Sequence, residues 1–224
     1  MKTNEELQRD VQNAIKWEPL LHAAEIGVSV KDGVVTLTGS VDNYTKKTEA
    51  ENATKNVMGV KVIVENIEVK FNSSYDRKDD NDIASEILNA YKWNWQVPND
   101  KVKVKVENGW VTLEGELAWN YQKTAAKDAV SKLMGVMGVF NNITIKSESN
   151  DKIEKEEIEN ALNRNWSLNN KDIEVNVSNH KVTLMGTVDS WYQKEEAARI
   201  AWNAHGVWAV NNELEIEYEY ELVD

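Results

Sequence analysis

The chain has 224 residues, 41% hydrophobic and 29% charged, the composition of an ordinary globular protein rather than of a disordered or membrane-spanning one. It contains no cysteine, which excludes a disulfide framework and any thiolate metal or redox site. Residues 1–71 carry 9 basic and 11 acidic groups, 72–147 carry 10 and 10, and 148–224 carry 7 and 17, so the net charge of −12 sits almost wholly in the last third and no part offers the basic surface that nucleic-acid binding needs.

The opening residues, MKTNEELQRDVQNAI, lack the apolar core and cleavage site of a secretory signal, so cytoplasm is the expected compartment, or periplasm where a leader has been removed. The next element is a helix. Leu7, Val11, Ala14 and Ile15 recur at the three- and four-residue spacing of one buried face, and Thr3 with Glu6 forms a capping box. Ile26, Val28 and Val30 then alternate with polar neighbours, the period of a strand with one face buried. Asp32-Gly33 supplies the two φ > 0 residues of a two-residue hairpin turn, after which Val35 and Leu37 continue a second strand to Gly39. A second helix follows, its small inner residues Ala50 and Ala53 expected to face Gly39 so that helix and strand approach closely. Gly59 is expected to end that helix in the left-handed conformation. The last strand uses Ile63, Ile67 and Val69, and the polar residue at its middle, Glu65, is expected to mark a bulge.

The same succession recurs twice more. GVVTLTGSV at Gly33 to Val41 matches GWVTLEGEL at Gly109 to Leu117 and HKVTLMGTV at His180 to Val188 without gaps. Twenty residues after Gly39, Gly115 and Gly186 come Gly59, Gly135 and Gly206, each followed by valine. Asn66-Ile67, Asn142-Ile143 and Glu213-Leu214 follow, and the polar middle position of the last strand recurs as Asn141 and Asn212. The third copy places Asn179-His180 at the turn, residues that visit φ > 0 more than most. Polar runs at Asn72 to Asp80 and Lys146 to Lys152 are the expected linkers. Leu133 to Ile145, an uncharged stretch, falls short of the roughly 18 to 20 apolar residues that cross a bilayer, so no membrane-spanning helix is expected. The fold class is therefore α+β: three tandem αββαβ domains at 1–72, 80–147 and 151–224, each a three-stranded mixed sheet with two helices on one face.

Gly-Val-Val-Thr-Leu-x-Gly, Gly-Val twenty residues on, and then Asn-x-Ile or its variant resemble the BON (bacterial OsmY and nodulation) domain in all three copies. The third departs at His180, in place of the turn glycine, and at Glu213, in place of the asparagine. The resemblance implies a two-helix, three-stranded sandwich. It also implies the roles of family members: osmotic-shock proteins, envelope-maintenance lipoproteins that contact anionic phospholipid, and a potassium-responsive protein joined to a peptidoglycan-binding module, which this sequence does not show.

Catalysis finds little footing. His22, His180 and His205 lie one per copy at unmatched positions, so no shared metal or acid–base centre is indicated, and the glycines have turn rather than phosphate-loop spacing. No catalytic, cofactor or metal residue is assigned. Tryptophan carries more information. Of the nine, only Trp17 lies in the first copy, and Trp110, Trp119, Trp202 and Trp208 align with polar residues elsewhere, so their positions are not obligatory core. Two readings follow, packing between repeats or under linkers, and an exposed aromatic patch for lipid headgroups or a partner protein. The candidate contact residues are Trp93, Trp95, Trp110, Trp119, Trp191 and Trp208 with Lys101, Lys103 and Lys105, which are expected to flank Trp110 on the outer sheet face. Gly39, Gly59, Gly115, Gly135, Gly186 and Gly206 are taken as structural. The run Glu213 to Glu221 is expected to prolong the last strand, its glutamates discouraging edge pairing. The function expected is that of a non-catalytic osmotic-stress binding module contacting a phospholipid surface or envelope proteins. The rival readings are a structural, homo-oligomerising protein and a small-ion (potassium) sensor.

Overall fold

The computed structural model describes residues 2–21, 26–71, 78–146, 155–168 and 172–217. In the first copy these form α1 (Asn4–Trp17), β1 (Ile26–Lys31), β2 (Val34–Val41), α2 (Tyr44–Lys55) and β3 (Val62–Val69). The second comprises α3 (Asp80–Trp93), β4 (Val102–Glu107), β5 (Trp110–Leu117), α4 (Asn120–Ser131), β6 (Gly138–Asn141) and β7 (Thr144–Ile145). In the third are α5 (Lys155–Arg164), β8 (Ile173–Ser178), β9 (Lys181–Val188), α6 (Trp191–Trp202), β10 (Ala209–Asn212) and β11 (Glu215–Ile216). The chain is α+β throughout, with a mixed sheet in each copy. It divides into two compact units, one drawn from Met1–Gly39, Thr48–Ile67 and Asp151–Asp224, the other from Ser40–Lys47 and Glu68–Asn150.

The hairpins share one register. Val28 lies opposite Leu37, Val104 opposite Leu113, and Val175 opposite Leu184. Val35 and Leu37, with Val111, Leu113, Val182 and Leu184, are fully buried against the helices, as period-two alternation requires. The helix stripes Leu7, Val11 and Ile15, and Ile83, Ile87 and Tyr91, complete their cores. Tyr91 replaces an aliphatic residue of the other copies, and its phenol is satisfied by donating to Ala126 O at 3.2 Å. The Thr3–Glu6 capping box is present, Glu6 N–H donating to Thr3 Oγ1 and Thr3 N–H to Glu6 Oε2.

Helix starts also anchor the hairpin turns. Asp80 accepts hydrogen bonds from Asn108 N–H (2.8 Å) and Gly109 N–H (2.9 Å), and Asn4 accepts one from Asp32 N–H (2.9 Å). Asp80 is thus the first residue of α3, capped by Asp79, rather than the end of a linker; residues 72–77 and 147–154 lie outside the described residues. The first two turns have the expected pairs of positive φ, 52° and 82° at Asp32-Gly33, 52° and 78° at Asn108-Gly109. In the third only Asn179 is left-handed (53°), and the His180 ring reaches Gly206 O.

Three expectations need correction. Gly115 and Gly186, at φ 146° and 118°, are faced not by the second helix but by the backbone entering the first strand: a Cβ would collide with Lys101 O or Asp172 O. Gly59, Gly135 and Gly206 are left-handed at 99°, 90° and 78°, but each lies four residues beyond the last helical residue, where it leads the chain into the third strand. Nor is there a bulge in the third strands of the second and third copies. β6 and β7 pair with β5 in parallel at one constant offset, Trp110 with Gly138 and Leu117 with Ile145, and β10 and β11 pair with β9 likewise. The break between them is made by a side chain. Asn141 Nδ2 donates to Lys123 O (3.0 Å) and its Oδ1 accepts from Ile143 N–H (3.4 Å); Asn212 does the same with Lys194 O (2.6 Å) and Leu214 N–H (3.3 Å). The polar middle position therefore ties strand to helix.

Candidate functional site

In each copy the chain leaves the first helix by one kind of turn. Glu18 N–H donates to Ile15 O and Leu21 N–H to Glu18 O; Asn94 to Tyr91 and Val97 to Asn94, and Asn165 to Leu162 and Leu168 to Asn165, repeat the pattern at 3.0–3.2 Å. Two turn side chains reinforce it, Asn94 Oδ1 accepting from Gln96 N–H (3.1 Å) and Asn165 Oδ1 from Ser167 N–H (2.9 Å). The turn carries Leu21, Val97 and Leu168 inward to buried positions. What it leaves outside is tryptophan. Trp17 is 89% exposed, Trp93 84%, Trp95 86% and Trp166 85%.

These four occupy two equivalent positions. Trp17 and Trp93 are the last helical residues of α1 and α3, and Trp95 and Trp166 each lie two residues past the end of α3 and α5. Beside each corner stands a cation in the last helical turn, Lys16, Lys92 or Arg164, exposed in every case. A cation there also complements the helix C-terminal dipole, so its presence alone is ordinary. An indole left almost wholly in water beside it, three times over, is not, because tryptophan usually hides its apolar body. In the third copy Asn165 further donates to Glu196 (2.8 Å), which Arg199 engages through two nitrogens (2.7 and 2.6 Å). The hydrogen bonds from Arg199, aided by Asn165 and opposed by burial, hold the Glu196 carboxyl below the ordinary glutamate range.

Of the candidates read from the sequence, Trp93 and Trp95 belong to these corners. Trp17 and Trp166 were missed, although their alignment with Trp93 and Trp95 carried the signal. Trp110 is 42% exposed; it lies over Gly138, where a Cβ would strike the indole, and stacks on Phe140 with centroids 5.2 Å apart. Trp119 is half-buried at the start of α4, its backbone N–H donating to Gln122 Oε1 (3.1 Å). Trp191, also half-buried, donates through its indole N–H to Glu195 Oε1 (3.2 Å), and Trp208 stacks on His180.

The lysine stripe does not flank Trp110 as expected. Glu107 is the residue opposite Trp110, Lys105 lies opposite Thr112 and pairs with Glu107 (2.9 Å), Lys103 lies opposite Glu114, and Lys101 precedes the strand. On that face Lys103 and Lys105 of β4 stand with the acidic Glu107 and, across the ladder, Glu114. His205 is exposed, and His22 lies outside the described residues, as do Tyr218 to Glu221 of the C-terminal run. No cluster of three or more potential metal ligands is found among the described residues. Two open hollows of about 260 and 250 Å³ are lined by Glu159, Leu168 and Asp172 with neighbours and by Lys2, Asp32 and Lys61 with neighbours; they involve different positions of their copies. No described helix is long and apolar enough to cross a membrane.

The family model of the BON domain matches residues 3–70, 79–147 and 150–218. No curated protein matches the chain. Among solved structures it is similar to CdsD, a structural protein of the Type III secretion system of Chlamydia trachomatis, at 15% identity over 95% of this chain and 93% of that one (TM-score 0.23). Another structure, of the CdsD C-terminal domain, aligns at 17% identity over 97% of this chain and 100% of that one (TM-score 0.24).

Proposed function

The chain belongs to the BON domain family, three copies in tandem, and from that we propose that it is a non-catalytic stress-response module that binds anionic phospholipid surfaces through its tryptophan corners. One observation carries the reading: each corner joins a nearly fully exposed indole to an exposed last-turn cation. Indoles settle at the headgroup level of bilayers, where an apolar body and a polar N–H are both satisfied. A cation near an anionic surface contributes about 1 kcal/mol, so each corner supplies about that much before its indole inserts. The acidic third copy opposes this only locally, since screening acts over about 8 Å at physiological salt.

Flotation with vesicles containing phosphatidylglycerol tests the reading, with phosphatidylcholine vesicles as the comparison. Binding should require the anionic lipid, weaken with salt and fail when Trp17, Trp93, Trp95 and Trp166 are replaced by alanine together. Absence of flotation at low salt would discard the lipid reading. A light-scattering mass above that of one chain, lowered by the same four replacements, would instead favour self-association through the corners.

A further inference from the structure

Lys55 is the last residue of α2, and its aligned positions in the other copies hold no cation, Ser131 in one and Trp202 in the other. Its ammonium lies 3.0 Å from Glu51 Oε1 on its own helix and 2.8 Å from Glu195 Oε1 on α6 of the third copy. The lysine side chain is only 17% exposed, whereas Glu195 keeps 54%. The same Glu195 oxygen accepts the indole N–H of Trp191 one helical turn earlier, which fixes the carboxylate where the lysine meets it. Glu195 and Trp191 are likewise unshared, their counterparts being Thr48 and Thr124, and Tyr44 and Asn120. The contact therefore joins the first copy to the third and to no other, across the whole of the second in sequence.

We propose that Lys55, Glu195 and Trp191 form an ionic latch that holds the first and third repeats as one body and releases them as ionic strength rises. The two carboxylates around Lys55 make the contact specific, and the exposure of Glu195 makes it reversible, since half-exposed ion pairs are individually weak and open to screening. Burial disfavours the Lys55 charge, but the hydrogen bonds it donates to Glu195 and Glu51 outweigh that and hold its pKa above the ordinary lysine value, so the latch keeps its cation. Because the aligned residues of the other copies do not make up such a trio, release at this contact is a property of one pair of repeats.

The test uses the full chain labelled with 5-fluorotryptophan, the Trp191 resonance being assigned with Trp191→Phe. Trp191 lies in the third repeat and Lys55 in the first, so a purely intrahelical Trp191–Glu195 contact would not sense a change at Lys55. Lys55→Gln should shift the Trp191 resonance and Lys55→Arg should leave it in place. Raising salt from about 0.1 M to about 1 M, which shortens the screening length from about 10 Å to about 3 Å, should move the wild-type resonance toward that of Lys55→Gln. In small-angle scattering, Lys55→Glu should enlarge the radius of gyration and the charge swap Lys55→Glu with Glu195→Lys should reverse it. A Trp191 resonance indifferent to Lys55→Gln and to salt, or a radius that the swap fails to restore, overturns the latch.

Discussion

The imidazole of His180 lies on the indole of Trp208, ring centroids 4.0 Å apart and planes 6° from parallel, while His180 Nδ1 meets Gly206 O at 2.8 Å. In the other copies the same two positions hold Gly33 with Lys61 and Gly109 with Met137. The stack replaces a glycine turn by a ring contact. A double-mutant cycle with His180→Gly and Trp208→Ala should give a coupling of about 0.5–1.5 kcal/mol in urea unfolding. Additive losses would show that the rings contribute independently.

Tyr91→Phe should cost about 1 kcal/mol, because the buried phenol donates to Ala126 O and the ring alone fills the site. Burial already holds that phenol neutral well beyond the ordinary tyrosine range. Chemical denaturation measures the loss; an unchanged midpoint would mean that the bond adds nothing to packing.

Gly115→Ala should destabilise by about 3 kcal/mol or more, since it combines a φ of 146° with a collision against Lys101 O. The same change at Gly27 is tight only against the movable hydroxyl of Thr38, the nearest backbone atom, Thr38 O, lying at an ordinary 3.7 Å, so it should be milder. Comparable losses at the two sites would contradict the account.

Glu196 gives the third corner a dependence on acid. Its carboxyl is held below the ordinary value of 4.5, chiefly by Arg199. The resulting stability is fully present above 4.5 and is lost as pH falls through the lower folded value. The stability difference between wild type and Glu196→Gln, measured in urea at about pH 7 and about pH 3, should therefore shrink at the lower pH. A constant difference would deny the carboxylate this role.

Trp17→Ala and Trp166→Ala should each change folding stability by less than about 0.5 kcal/mol, because both side chains stand almost wholly in water. Urea midpoints decide this. A loss of several kcal/mol would place those indoles in a packed interface.

What three copies share was legible in the sequence. The hydrophobic periods of Leu7, Val11 and Ile15, the paired turn residues Asn108-Gly109 and the cap at Thr3 each act locally, so spacing alone placed them. What escaped depends on partners distant in the chain. Asn141 was read as a bulge because its polarity was visible and its bond to Lys123 O was not. The lysines before Trp110 resemble a basic stripe because Glu114, opposite Lys103, belongs to the next strand, and the pairing of Lys105 with Glu107 on its own strand shows only in the fold. Trp17 and Trp166 stand at the positions of Trp93 and Trp95, so alignment of the copies points to them while their exposure does not show in the sequence. Only the turn that buries Leu21 and Leu168 shows why these indoles stay out.

That turn has a thermodynamic consequence for whatever surface meets the corners. Its backbone is already fastened by hydrogen bonds and by an aliphatic plug, so engagement need not order a loop. Only the two χ angles of each indole remain to be restricted, at about 0.5–1.5 kcal/mol per side chain. A preorganised corner of this kind should associate quickly and with little change in backbone entropy, and it should lose both traits if the plug at Leu21, Val97 or Leu168 were cut back to alanine.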